Sequence, residues 1–87
     1  EQMGMIYKTL PDEGFADAAL ALAGKMASMP TRGLALTKQA LNQTFSNTLQ
    51  EQLALEDRLQ TEAGRTNDYR EGVDAFLQKR SPNFLGS

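Results

Sequence analysis

Apolar residues recur at spacings of three and four along most of this 87-residue chain, and residues that start or stop helices divide the pattern into segments. Such a repeat is typical of amphipathic helices that turn one side toward a core. Pro30 interrupts it, because proline disfavours helical backbone at the residue before it. We therefore predict an all-α fold, with a short extended segment at residues 3–10 followed by about four helices. The predicted helices span roughly residues 12–28, 31–46, 48–63 and 67–80.

The predicted helix ends carry residues typical of caps. The side chains of Asp12 and Thr31 can each accept a hydrogen bond from the free N–H groups of a first helical turn. Thr48 and Glu51 have the spacing of a capping box, in which each side chain bonds the backbone N–H of the other residue. Gly64 is typical of a helix C-terminus. These residues place the helix boundaries independently of the apolar spacing.

The first two predicted helices are apolar around a large part of their circumference. The stripe predicted to be buried on the first helix consists of Phe15, Ala18, Ala19, Leu22, Met26 and Met29. The row predicted to be buried on the second helix consists of Leu34, Thr37, Leu41 and Phe45. Further apolar residues flank both rows, so each helix needs more than one neighbour. We expect self-association, because a unit of four short helices cannot cover these faces internally.

The composition excludes several classes of function. The chain contains no cysteine and no histidine, so it has no disulfide, no thiolate metal site and no histidine general base. Its net charge of −2 disfavours a nucleic-acid partner. No apolar run approaches the ~18 residues of a membrane span, so we expect no membrane association and a cytoplasmic setting. Because Glu1 precedes any methionine, we interpret the chain as a piece of a longer polypeptide.

The acidic residues do not form an evident catalytic pair. Glu56 and Asp57 are adjacent, so on a helix they point about 100° apart and cannot face one substrate atom together. Asp68 and Glu71 lie near a predicted helix start, where we expect capping and compensation of the helix dipole. Gly72 lies inside the same helix at a cost of about 1 kcal/mol relative to alanine. That cost predicts close packing there, by another backbone or by a ligand.

The end of the fourth predicted helix offers a possible ligand site. Phe76 lies three residues before the pair Lys79-Arg80. A lysine ammonium can bind a phosphate, and a phenylalanine ring can pack on an adenine. Two cations at a helix C-terminus are also favoured by the helix dipole alone. Composition does not choose between a phosphate-and-base clamp and simple compensation of the dipole.

Residues 68–86 strongly resemble the C-terminal signature of the crotonase superfamily, the enoyl-CoA hydratases and isomerases. The matching pattern is D-x-x-E-G-V-x-A-F-x-x-K-R-x-P-x-F-x-G. Residues 35–42 are similar to the family's A-x-T-K-x-x-L-N helix, and residues 4–6 to the segment after its last active-site helix. Residues 63–72 are more particularly similar to the epoxyphenylacetyl-CoA isomerases of bacterial phenylacetate degradation. The resemblance covers essentially the whole chain.

The resemblance implies a division of labour within the family. Its members have a spiral core of ββα turns, which supplies the oxyanion hole and the catalytic carboxylates, followed by helices that make much of the trimer contact. This chain resembles the helical part. The resemblance therefore implies that no catalytic residue lies within these 87 residues, and that the chain alone is inactive toward acyl-CoA thioesters.

Carried over residue by residue, the family's adenine-contacting phenylalanine falls on Phe76 and its phosphate-contacting lysine on Lys79. Arg80 is a second candidate for the phosphate. The implied cofactor is the coenzyme A (CoA) part of the substrate, with no tightly bound cofactor and no metal. The implied partners are the acyl-CoA and sister subunits of a trimer-based homo-oligomer. The alternative is a free-standing helical protein-interaction module with no role in CoA binding.

Overall fold

The computed structural model describes residues 1–87 and contains four α-helices and no β-strand. The predicted all-α fold is confirmed. The first helix begins at Phe15 rather than at residue 12, and the fourth ends at Gln78 rather than at residue 80. The helices are α1 (Phe15–Ala27), α2 (Thr31–Gln43), α3 (Leu49–Gly64) and α4 (Asn67–Gln78).

The starts of α1 and α2 lack the predicted side-chain caps. Gly14 precedes α1 in left-handed conformation with φ 74°, and the Asp12 side chain does not cap the helix. Pro30 occupies the cap position of α2, so Thr31 is already the first helical residue and its hydroxyl cannot act as the cap. Both helices therefore begin where backbone conformation, rather than a side-chain hydrogen bond, redirects the chain.

The starts of α3 and α4 are capped by threonine. The backbone N–H of Glu51 donates to the Thr48 hydroxyl at 3.3 Å, and the Thr48 N–H donates to the Glu51 carboxylate at 2.7 Å, which confirms the capping box. The Thr66 hydroxyl accepts from the backbone N–H of Tyr69 at 3.1 Å. These caps satisfy N–H groups that the helices themselves leave free.

The N-terminal segment, residues 1–14, makes turns and bends and forms no strand. The Glu1 carboxylate accepts from both the backbone N–H and the hydroxyl of Thr9, at 2.8 and 2.9 Å. Met3 and Met5 are more than four-fifths exposed. These two methionines therefore have little surface to pack on within the chain.

Only α2 and α3 form an extensively packed pair. Contacts between them run in opposite directions along the two helices, because Arg32 pairs with Glu62 while the Gln52 amide donates to the Ala40 carbonyl at 3.3 Å. The pair is therefore antiparallel, as the short connection between the helices allows. Its core consists of Leu36, Leu55 and Leu59, with Ala40 and Ala63 packed against them.

The predicted burial of the row on α2 is wrong, since Leu41 is 63% exposed and Phe45 is fully exposed. The helix instead turns Leu36 toward α3. On α1 no residue is buried, and Met26 and Met29 are 53% and 39% exposed, so the prediction that these methionines are buried is also wrong for this structure. Apolar spacing locates helices but does not choose which of two apolar faces finds a partner.

The four helices leave an open arrangement. The radius of gyration is 16.4 Å, whereas a compact domain of this length has about 12 Å. The accessible surface is 7345 Å², against about 5,100 Å² for a compact monomer of this mass. No helix has the length and apolar content needed to cross a membrane. Much of the excess surface is apolar, because α1, the end of α2 and one face of α4 are uncovered.

The C-terminal tail, residues 79–87, is held against α4 by two carboxylates. Asp68 is buried, and its oxygens accept from the backbone N–H groups of Leu85 and Gly86 at 2.7 and 2.8 Å. Its own N–H donates to the Ser87 carbonyl at 2.9 Å. Asp68 thus fixes the far end of the tail, a role that the sequence analysis did not assign to it.

Glu71 fixes the near end of the tail. Its two oxygens accept from the two terminal nitrogens of Arg80 at 2.6 and 2.9 Å, and one of them also accepts from the backbone N–H of Asn83 at 2.8 Å. These bonds lower the pKa of Glu71 to about 2, with the Arg80 hydrogen bond as the largest cause.

Two glycines shape the tail. A Cβ added at Gly72 would lie 3.6 Å from the Phe84 ring, so this ring covers the helix where the sequence predicted close packing. The packing group is a side chain of the tail rather than a ligand or another backbone. Gly86 has φ 79°, and a Cβ there would lie 2.5 Å from the Thr31 hydroxyl oxygen. Glycine suits that position best, because a side chain would be strained by the backbone angle and would crowd the Thr31 hydroxyl.

The core between α2 and α3 gives a direct test of the fold. Leu59 is 5% exposed, whereas Leu53 on the same helix is 55% exposed. We expect Leu59→Ala to lower the free energy of unfolding by about 2–4 kcal/mol, since it removes buried methyl groups and leaves a cavity. Urea unfolding followed by circular dichroism measures the change. Leu53→Ala is the matched control, and an equal loss in both variants would contradict the assigned core.

The low pKa of Glu71 predicts how stability depends on pH. A carboxyl group whose pKa is lower in the folded state than its ordinary 4.5 stabilises the fold above that value, and this contribution is lost as the pH falls toward 2. We expect a level melting temperature above pH ~5.5, a decline below it, and a shallower decline in Glu71→Gln. Thermal melts across this range measure the effect. Glu13→Gln, at a carboxylate without a hydrogen bond, should keep the wild-type slope.

Candidate functional site

Phe76 and Lys79 lie together where α4 ends. Phe76 is in the last turn and is 82% exposed, so it is not a core residue. Lys79 follows the helix as its C-terminal cap, and its backbone N–H donates to the Phe76 carbonyl at 3.2 Å. The end of α4 thus carries an exposed aromatic ring and a lysine three residues apart in the chain.

The two neighbouring cations have different surroundings. The guanidinium of Arg80 makes a two-pronged ion pair with Glu71, and this bond raises the pKa of Arg80 above its ordinary value. Only Arg32 and Arg80 form ion pairs in this structure, so the Lys79 ammonium is unpaired. Of the two phosphate candidates, Lys79 carries the available charge.

The alternative interpretation of Lys79 and Arg80 is that they only compensate the dipole of α4. The last turn of α4 itself contains no basic residue, since the helix ends at Gln78. Lys79 and Arg80 lie just beyond it, and Arg80 is directed to Glu71 in the first half of the helix. The helix dipole still favours positive charge at this end of α4, so both interpretations of Lys79 stay open, whereas the direction of the Arg80 side chain follows from its ion pair with Glu71.

Phe76 also forms part of the wall of an open apolar groove of about 430 Å³. The groove lies between the start of α2, the end of α3, one face of α4 and the Phe84 ring of the tail. Its apolar lining consists of Pro30, Ala63, Tyr69, Val73, Phe76, Leu77 and Phe84. The groove can take up apolar or aromatic surface, but it brings no acid–base pair to a bound group.

Two further acidic residues are bound to neighbouring side chains. Glu62 pairs with Arg32, and Glu56 accepts from the Gln52 amide at 3.0 Å. No group of three or more acidic side chains is placed to hold a metal ion. The arrangement can therefore bind an anion beside a planar ring, and it offers no evident groups for proton transfer.

Sequence reasoning did not identify the residues that hold this site in shape. The sequence predicts capping and dipole compensation for Asp68 and Glu71, whereas in the structure both carboxylates bind the tail. Their spacing of three, which places both carboxylates on one side of α4, was the available signal. The spacing alone does not show what the two carboxylates bind, because their partners lie in a tail that returns along that side of the helix.

Comparison with known proteins places the chain in a family. The family described as enoyl-CoA hydratase/isomerase matches residues 1–87. The chain is 54% identical to a 1,2-epoxyphenylacetyl-CoA isomerase of Escherichia coli K12 and 42% identical to a 2,3-dehydroadipyl-CoA hydratase of the same organism. The aligned regions cover 98% and 99% of this chain but 32% and 34% of those proteins. The chain thus spans about a third of the length of these relatives.

Comparison of the fold with solved structures also finds enoyl-CoA hydratases. Two enoyl-CoA hydratase structures from Geobacillus kaustophilus superpose with TM-scores of 0.89 and 0.87, at 31% and 28% sequence identity. They match 100% and 99% of this chain with 34% and 33% of their own. The resemblance drawn from the tail signature is confirmed by sequence and by structure: the chain belongs to the enoyl-CoA hydratase/isomerase family.

Proposed function

We propose that this chain is the oligomerisation and CoA-capping segment of an enzyme that acts on acyl-CoA thioesters through a stabilised enolate. The observation that carries the proposal is the pairing of an exposed ring, Phe76, with an unpaired ammonium, Lys79, at the end of α4 in a member of this family. The ring packs on the adenine of CoA and the ammonium binds a phosphate. Arg80 is already paired with Glu71, so Lys79 is the main phosphate contact.

The relatives support a narrower proposal about the substrate class. Identity is 54% to the 1,2-epoxyphenylacetyl-CoA isomerase, compared with 46% to a probable enoyl-CoA hydratase of Rhodobacter capsulatus. We therefore propose an isomerase of aromatic acyl-CoA thioesters, in phenylacetate degradation and in the cytoplasm. The catalytic groups are supplied from outside these 87 residues, so the chain alone does not turn over substrate.

Oligomerisation is supported by the uncovered surface. The accessible area exceeds that of a compact monomer by more than 2,000 Å², in the size range of obligate interfaces. Leu20 on α1 is 71% exposed and Phe45 after α2 is fully exposed. We propose that sister subunits and the catalytic part of the enzyme cover these faces.

Titration calorimetry with CoA tests the proposed clamp. The 87-residue chain should bind CoA weakly at low salt, and Lys79→Ala should weaken binding about tenfold or more, because a hydrogen-bonded charge contact is lost. Lys38→Ala, which removes an exposed lysine on α2, is the matched control and should bind as the wild type does. No binding by the wild type at any salt concentration would contradict the clamp and favour an interaction module without a CoA role.

The salt dependence separates the two halves of the clamp. The effect of Lys79→Ala should shrink at ~1 M salt, where exposed charges are screened within about 3 Å. Phe76→Ala should weaken binding at every salt concentration, because ring packing on a base does not depend on charge. Tyr7→Ala, at a 77% exposed ring in the N-terminal segment, controls for the loss of an aromatic side chain.

Sedimentation velocity tests the proposed oligomerisation. We expect the wild-type chain to self-associate as its concentration rises, and Leu20→Lys to shift it toward monomer by placing a charge on the apolar face of α1. Gln39→Lys makes the same charge change on the exposed polar side of α2 and should leave association unchanged. A wild-type chain that stays monomeric at high concentration would refute the proposal.

A further inference from the structure

Lys79 is the only residue other than glycine with a positive φ, which is 54°. Its N–H donates to the Phe76 carbonyl at 3.2 Å, and the N–H of Arg80 donates to the Ala75 carbonyl at 3.0 Å. These two bonds form a Schellman motif, the helix ending in which the left-handed position is usually glycine. A side chain is disfavoured there, so holding Lys79 in this conformation requires support from its surroundings.

The support comes from the residue that follows. Arg80 is tied by both terminal nitrogens to Glu71, nine residues earlier and two turns back along α4. Glu71 also accepts from the Asn83 N–H at 2.8 Å, so the chain is held on the far side of the reversal as well. The backbone at Lys79 therefore lies between a helix end and a segment whose position the Glu71 carboxylate fixes.

We propose that Glu71 and Arg80 are positioning residues for Lys79. Their ion pair holds the Lys79 backbone in the left-handed conformation, and this conformation presents the free ammonium to the phosphate of a CoA lying against Phe76. The inference rests on the proposed function of Phe76 and Lys79. It assigns Arg80 to the support of the site, because a guanidinium engaged at 2.6 and 2.9 Å with a carboxylate is not free for a phosphate.

The sign of the effect of Glu71→Gln distinguishes positioning from simple electrostatics. Coulomb's law alone expects a polyanion such as CoA to bind more tightly once a nearby carboxylate is removed. Positioning expects the opposite, a several-fold weaker binding, because Lys79 loses its fixed conformation. Calorimetry with CoA at 25 °C and low salt, on protein shown to be folded by circular dichroism, measures the difference. Unchanged or tighter binding overturns the proposal.

A double-mutant comparison shows whether Glu71 acts through Lys79. We expect Glu71→Gln to weaken CoA binding in the wild type and to cause no further loss in Lys79→Ala. Equal losses in both backgrounds would mean that Glu71 acts independently of Lys79 and would overturn the proposal. Lys79→Ala alone decides the proposed CoA contact, so the failure of that contact and the failure of the positioning role give different patterns.

Arg80→Lys is the second variant. It keeps the net charge but replaces the two-pronged guanidinium with a single ammonium, which cannot bind both oxygens of Glu71 in the same way. We expect CoA binding to weaken by a similar factor to that of Glu71→Gln. If Arg80 instead attracted the phosphate as a simple charge, Arg80→Lys would bind CoA as the wild type does, and that result would overturn the positioning role.

Nuclear magnetic resonance tests the conformational step without any ligand. A left-handed residue has a short distance between its own amide and α protons, so Lys79 should give a strong cross-relaxation signal between them in the wild type. We expect that signal to weaken in Glu71→Gln and in Arg80→Lys. A signal that persists unchanged would overturn the proposal, even if CoA binding were lost.

Discussion

The carboxylates of Asp68 and Glu71 connect the secondary structure of this chain to its candidate site. Between them they accept from the backbone N–H groups of Leu85, Gly86 and Asn83 and from the guanidinium of Arg80. Irregular backbone returning along a helix has no ladder to satisfy its N–H groups, so side-chain acceptors are needed. Because these acceptors lie on α4, the tail and the helix end are set in one geometry.

The rest of the molecule is open by comparison. One antiparallel pair, α2 and α3, encloses the leucine core, while α1 has no fully buried residue. A chain with five buried residues out of 87 has little hydrophobic stabilisation of its own. The chain matches about a third of the length of its relatives, which is consistent with this open shape. We propose that the surfaces left open here are covered by the catalytic part and by sister subunits.

The features that sequence reasoning predicted well depend on neighbours in the chain. The Thr48–Glu51 capping box forms as expected, since its partners are three residues apart. The apolar spacing predicts that Leu41 and Phe45 are buried, but both are exposed, because burial depends on where α3 packs and not on spacing within α2. The predicted packing at Gly72 has its cause in Phe84, a residue twelve positions later.

The amino-acid sequence by itself determined the helices, the absence of cysteine and histidine, and the tail signature that identifies the family. Local propensities and capping suffice for these, because each acts within a few residues. Only the tertiary structure decided that Arg80 is paired and Lys79 is free, and that the backbone turns left-handed at Lys79, directly after α4. The difference depends on Glu71, which binds Arg80 and Asn83 only because the chain reverses direction after α4 and brings these distant residues back to it.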